Sequence, residues 1–177
     1  MNNVSEVIHG HVASHILEDD GTFPNNQKCP VLVYKGALHL HPDDRAESIQ
    51  ELFKKNNWTN AWQAGIYDYH HYHSTCHEVL GVFCGVADVQ LGGPEGICVE
   101  LVRGDVLVIP AGVSHKSVKA SDDFLCVGAY AEGRNYDMNY GKTEEREKAL
   151  SNIAAVTLPV SDPVFGADGP LLECWMR

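Results

Sequence analysis

Four side chains in this sequence have the chemistry and the spacing to grip one metal ion. His71 and His73 stand two apart in the run GIYDYHHYHSTCHEVLGVFCG, which holds four of the ten histidines of the chain. In extended backbone alternate side chains share a face, so the two imidazoles project together from Cα atoms about 6.6 Å apart. Glu78 follows after Ser74 to His77. That interval suits a tight reversal and predicts that EVLGVFCG returns alongside as an antiparallel strand, carrying Glu78 back to the histidines. His115 comes from GDVLVIPAGVSHKSV, where a strand from Val106 to Ile109 stops at Pro110, turns through Ala111 and Gly112 and resumes an extended run. Three imidazoles and one carboxylate form a ligand set for a divalent transition metal. One or two coordination positions stay open, as catalysis or ligand binding needs.

Other sets fit less well. A zinc knot of His73, Cys76 and His77 lacks the C-x2-C pairing usual in structural zinc sites. His39 and His41 repeat the two-residue spacing, but Pro42 and an acidic run follow with no returning ligand, so a structural role is expected. Alternation turns His70 away from His71, towards packing or solvent, and leaves His77 at the rim of the site.

The two stretches resemble the paired motifs of the cupin family. The first motif reads Gly, five residues, His-x-His, three or four residues, Glu, six residues, Gly, and is met by Gly65, His71, His73, Glu78 and Gly85. The second reads Gly, five residues, Pro-x-Gly, two residues, His, three residues, Asn. Gly104, Pro110, Gly112 and His115 match it, with Lys119 in the place of the Asn, a position that is not a ligand. FPNN, PVLVYKGAL, NNWTNAW, ASDDFLCVGAY and SDPVFGADGPL further look like the YjlB-type branch of small single-domain cupins. The resemblance implies a double-stranded β-helix, or jelly-roll, barrel with metal ligands at His71, His73, Glu78 and His115.

The elements that must position these groups can be read along the chain. At 177 residues with 44% hydrophobic content, 8 prolines and 16 glycines, the chain suits one strand-and-turn domain spanning 1–177. Residues 1–20, with His9, His11 and His15, read as a solvated arm or an edge strand. Gly21 to Pro30 reads as a loop and VLVYKGALHL as a strand. DDRAESIQELFKKN, 43–56, is a helix with Ala46, Ile49 and Phe53 at helical spacing, acids at its start and Lys54 and Lys55 at its end. Trp58 and Trp62 are expected as buried anchors rather than pocket walls. The core barrel is placed at 65–130, with GGPEG as a hairpin turn and about eight to ten strands in all. A second short helix, 143–152, is expected to be capped by Thr143. The tail 156–177 is apolar and broken by Pro159, Pro163 and Pro170, so it should wrap the barrel or cover a second subunit. The fold class is all-β with two short accessory α-helices.

Composition narrows the function. The net charge of −11 argues against nucleic acid, which needs clustered Lys and Arg. No run of about 18 apolar residues is present, and the N-terminal stretch lacks both a basic start and an apolar core. These features predict a cytoplasmic chain that meets no membrane. Six cysteines without paired spacing read as reduced thiols, with Cys84, Cys98 and Cys126 in the core and Cys76 the one to test for oxidation. In a barrel, the parity of His71 and His73 puts Tyr67 and Tyr69 on the pocket wall, and Glu78 shares its face with Leu80, Val82 and Cys84. Arg103, Lys116 and Arg134 are candidate anion clamps. The expectation is a homodimer carrying one divalent transition metal per subunit, Fe, Mn, Ni or Zn, and acting on a small organic molecule. An oxygenase or a metal-assisted isomerase or lyase comes first, with a non-catalytic binding or sensing module as the alternative.

Overall fold

Alternating apolar residues build two facing sheets here. The computed structural model describes residues 12–175. Its order is β1 (Val12–Leu17), β2 (Asn26–Tyr34), α1 (Ala46–Lys55), β3 (Trp58–Ala64), β4 (Glu78–Cys84), β5 (Val86–Leu91), β6 (Ile97–Val102), β7 (Val106–Ile109), β8 (His115–Ala120), β9 (Leu125–Ala131), a 3-10 turn (Thr143–Glu145), α2 (Arg146–Ala155) and α3 (Pro170–Trp175). Six strands pair in the order β1-β2-β7-β4-β9-β3 and three in the order β6-β5-β8. Every named pairing is antiparallel. The result is an all-β jelly-roll barrel with short helices.

Both faces of the larger sheet are covered, which is why β7 and most of β4 and β9 read as unbroken apolar runs. Its inner face meets the smaller sheet through a cluster that includes Leu80, Val82, Val89, Leu91, Leu101 and Leu107. Its outer face carries α1 and the tail through a second cluster that includes Ile49, Phe53, Val79, Val108, Leu171 and Trp175. At Gly81 on β4 a Cβ would lie 2.8 Å from Ile49 Cγ2 and 2.9 Å from Phe53 Cζ. The missing side chain lets α1 sit directly on the strand.

Several boundaries differ from expectation for identifiable reasons. Strand β2 starts at Asn26, before Pro30, and stops at Tyr34. Pro30 falls between the residues paired with β1, Asn26 and Val31, beside an irregularity where a missing N–H is tolerated. The strand ends because Gly36 takes a positive φ of 60° and Lys35 and Gly36 are tied to the Asp105 carboxylate. The barrel is also not confined to 65–130, since β1, β2 and β3 supply half of the larger sheet. Thr143 is not the cap of the second helix. It opens the 3-10 turn, and the Glu145 carboxylate instead accepts the backbone N–H groups of Tyr140 and Lys142. His9 and His11 lie outside the described residues, while His15 is on the edge strand β1.

A third helix was not foreseen. The tail turns back on itself at an Asp162–Gly166 bridge and enters α3 at Pro170, proline being well suited to a first helical position. Val164, Leu171 and Trp175 are buried against this chain's own outer sheet face, and Trp175 Nε1–H donates to the Pro30 carbonyl at 2.9 Å. These three side chains are thus covered by this chain itself, whereas Leu158 and Val160 of the same tail are exposed. Asp162 organises the turn. Fully buried, it accepts the Tyr34 hydroxyl at 2.5 Å and the backbone N–H groups of Val164, Phe165 and Leu171. Asp162→Ala strands four donors, and urea denaturation should show a loss of about 2–4 kcal/mol. A loss within experimental error would mean that the tail docks through apolar contacts alone.

Candidate metal centre

The histidines and the glutamate reach one point from opposite layers. Glu78 opens β4, in the larger sheet between β7 and β9. His115 opens β8, in the smaller sheet. The His71–His73 segment belongs to no named strand: it is pinned by a His71–His115 bridge on one side and a Tyr72–Asn139 bridge on the other. Ser74 to His77 therefore carries the chain across from one sheet to the other, instead of closing the expected hairpin. Alternation of the two histidines survives because backbone bonds to residues 115 and 139 hold the segment extended.

All four groups are buried. The ring centroids of His71 and His115 are 4.1 Å apart, those of His73 and His115 5.5 Å, and those of His71 and His73 5.7 Å. One ring nitrogen from each of the three lies within 4.8 Å of the others. Glu78 joins them, with Oε2 at 3.5 Å from His73 Nε2 and Oε1 at 3.2 Å from His115 Nε2.

The remaining ring nitrogens decide what the cluster can do. His71 Nδ1–H donates to the Tyr69 carbonyl at 3.0 Å, His73 Nδ1–H to the Asp137 carbonyl at 2.6 Å, and His115 Nδ1–H to the Val113 carbonyl at 3.1 Å. A carbonyl can only accept, so each Nδ1 keeps its proton and each neutral ring presents an Nε2 lone pair to the centre. This second layer of contacts is what metal-binding imidazoles require. Asp137 is fixed in turn, its carboxylate accepting from the Ser74 backbone and hydroxyl and from Asn139.

Charge in the cluster is unevenly spread. Burial, helped by the nearby His115, depresses His71 to a pKa of about 3, so it stays neutral. Burial also opposes a charge on His73, but Glu78 outweighs it and raises the imidazole above its ordinary range. Burial would raise Glu78, and the bonds and charges of His73 and His115 overcome it, holding the carboxyl well below the usual range. Without an ion, Glu78 therefore favours a proton on His73.

Beside the four groups opens a cavity of about 250 Å³. Trp62, Ile66, Leu80 and Met138 give it apolar walls, and Tyr67, Tyr130 and Tyr136 add phenols. Trp62 is thus a wall residue and not only an anchor: its Nε1–H donates to Tyr130 Oη at 2.9 Å, and its ring occupies the space a Cβ at Gly128 would fill. Trp58 is the buried anchor, donating to the Ser161 carbonyl. Tyr67 lines the cavity, whereas Tyr69 does not and stacks on Tyr67 outside it at 4.9 Å. Tyr130 was legible in principle, since it faces Glu78 in register across β4 and β9. Tyr136, Asp137 and Met138 were not, because the irregular loop that carries them has no periodicity to read.

Other expectations change place. His77 is buried, not at a rim. Its Nδ1 accepts the Ala111 N–H at 2.9 Å, its ring faces Trp175, and burial depresses its pKa to about 4. His70 packs on Phe23. His39 is exposed and apart from the cluster. Arg103 is committed to the carbonyls of Phe83 and His41, and Arg134 to Glu132 and Thr157. Neither of these nor Lys116 lines the cavity. Cys76 is a poor candidate for oxidation, buried with its thiol pushed up to about 12. Cys98 is exposed and Cys84 partly so, because their strands present those positions outward, and of these three Cys126 alone is a core residue. Thiol labelling of the native protein should therefore modify Cys98 well before Cys76. Peptide mapping that found Cys76 labelled first would contradict the burial described.

No family model matches the chain. An uncharacterised protein of Bacillus subtilis (strain 168), YjlB, is 40% identical over 164 residues, covering 93% of this chain and 96% of the relative. This chain belongs to the YjlB family. Among solved structures, it shares 18% identity with acireductone dioxygenase from Bacillus anthracis with a cadmium ion in its active centre, over 55% of this chain and 70% of that one, at a TM-score of 0.39. A DUF861 family protein from Thermotoga maritima is 19% identical, over 55% of this chain and 96% of that one, at a TM-score of 0.34. Among the described residues, no helix is long and apolar enough to cross a membrane.

Proposed function

We propose that this cupin binds one divalent transition metal per subunit through His71, His73, His115 and Glu78, and acts as an enzyme on a small organic molecule held in the adjoining cavity. The observation that carries this reading is the locking of three Nδ1–H groups on backbone carbonyls, which leaves three Nε2 lone pairs and a carboxylate facing one point. The donor set fits iron, manganese, nickel or zinc. Bound there, the ion would polarise an oxygen of the substrate or support redox chemistry at its open positions. The protein's part is to exclude water with Trp62, Leu80 and Met138 and to hold the imidazoles in one tautomer. Small-molecule substrates, rather than nucleic acid or membrane, fit the net charge of −11 and a cavity of this size. A homodimer in the cytoplasm remains our working assembly. Light scattering reads it directly: a species of 19.5 kDa rejects it.

The deciding experiment is metal analysis of protein purified without chelators or a polyhistidine tag, followed by screening of the loaded form for oxygen uptake and for oxygen-independent turnover. Oxygen consumed together with one organic compound identifies an oxygenase. Turnover without oxygen, with zinc or manganese retained, identifies an isomerase or lyase. Saturable binding without turnover of any bound compound would replace the enzyme by a binding module.

A further inference from the structure

The cavity also limits which molecules can enter. Resting on the metal reading above, we infer that the ligand is a small monoanion or neutral molecule with an apolar body: one oxygen-bearing end reaches the ion and no second charged group lies inside. A charge count leads there. Three neutral imidazoles, one carboxylate and a dication leave a net charge of about +1, which one anionic group neutralises. Among the described residues no lysine or arginine lines the cavity, and Arg103 and Arg134 are occupied elsewhere. A second carboxylate or a phosphate would lose its water with no cation to receive it, the costliest outcome for a buried charge.

The hydrogen-bonding inventory points the same way. Away from the four metal-facing groups, the polar side chains on the wall are the phenols of Tyr67, Tyr130 and Tyr136, and Tyr130 Oη already accepts from Trp62. A polyhydroxylated sugar would leave several hydroxyls unpaired against Ile66, Leu80 and Met138. An alkyl or aryl body would instead gain from burial on that wall. About 250 Å³ suits a molecule of roughly ten non-hydrogen atoms, at the small end of ligand sites.

Two 2-oxo acids isolate the effect, because they share a metal-binding head and differ at the far end. Isothermal titration of the metal-loaded protein should find 2-oxo-4-methylpentanoate bound about 30-fold or more tightly than 2-oxoglutarate, the discrimination expected from burying an unpaired carboxylate. Met138→Lys places a cation on the wall and should erase or reverse that preference while metal content stays the same. Equal or tighter binding of 2-oxoglutarate by the unaltered protein, no binding of either acid, or a preference unmoved by Met138→Lys overturns the assignment but leaves the metal reading standing. Metal analysis before each titration separates the two: protein that retains no ion overturns both.

Discussion

Alanine at His71, His73 or His115 removes most of the roughly one equivalent of divalent metal that the protein retains when purified without chelators, whereas His39→Ala leaves the content unchanged. Each of the first three replacements deletes a lone pair from a centre whose other members are held by their own backbone bonds, so no neighbour can swing in as a substitute. His77 is adjacent in sequence to Glu78, but its ring is engaged with Ala111 and Trp175. Loss of a direct ligand should exceed the 10- to 100-fold typical of a change in the surrounding contacts. Asp137 tests that boundary. Asp137→Ala keeps the carbonyl that orients His73 but frees it from Ser74 and Asn139, and should weaken binding by about 10-fold. Inductively coupled plasma analysis and competition with a chromophoric chelator read all five variants. Full metal in the three motif variants would remove the site assignment.

Acidification should weaken the same site, with His73 as the group that answers first. An ion needs His73 neutral, but Glu78 raises that imidazole above its ordinary range in the metal-free protein. The ion must therefore compete with a proton that Glu78 favours on His73. His71, already neutral down to about pH 3, does not compete in that range. One competing proton lowers affinity by about 10-fold per pH unit once the pH is below the folded value of His73, so affinity should fall from pH 7.5 to 5.5. Because the folded barrel binds the ion and the unfolded chain scarcely does, the melting gap between holo and apo protein should shrink over that interval.

The metal-free protein has opposing signs of its own. The raised pKa of His73 contributes stability below about pH 6.5 that is lost as pH climbs through the folded value. The depressed Glu78 contributes above the carboxylate range and loses it on acidification. Neutral burial of His71 and His77 costs stability as pH falls from about 6.5 towards their folded values of about 3 and 4. The apo form should nevertheless remain folded at neutral pH on its two apolar clusters. A melting gap equal at pH 7.5 and 5.5 would mean that these histidines do not hold the ion, and an unfolded apo form would make the metal structural.

What the sequence conveyed followed from periodicity and spacing. Two-residue alternation placed His71 and His73 on one side, and Glu78 and His115 are indeed their neighbours in space. Helical spacing of Ala46, Ile49 and Phe53 found α1 to within a turn. The route was misread, because a four-residue interval is compatible with a hairpin and equally with a crossing between sheets, and only long-range pairing with residues 115 and 139 chooses. Parity points Tyr69 inward only in a regular strand, and the chain before His71 is irregular. The apolar neighbours of Cys98 suggest a core position, yet β6 alternates exposed and covered positions and turns Cys98 outward. Helix α3 carries too few residues, PLLECW, to show a period, and its existence depends on the pocket that Pro30 and the outer sheet provide.

The crossing at Ser74 to His77 has a mechanical consequence. Glu78 belongs to one layer, His115 to the other, and His71 and His73 to the strap between them. An ion held by all four is a cross-link through the barrel wall, closing loops of chain much as a disulfide would, but one that protons or a chelator can undo. Filling the site would then slow hydrogen exchange at the His71 and His115 amides, which bond to each other's carbonyls, and would make parting of the two layers at that end the event that limits how fast the ion escapes.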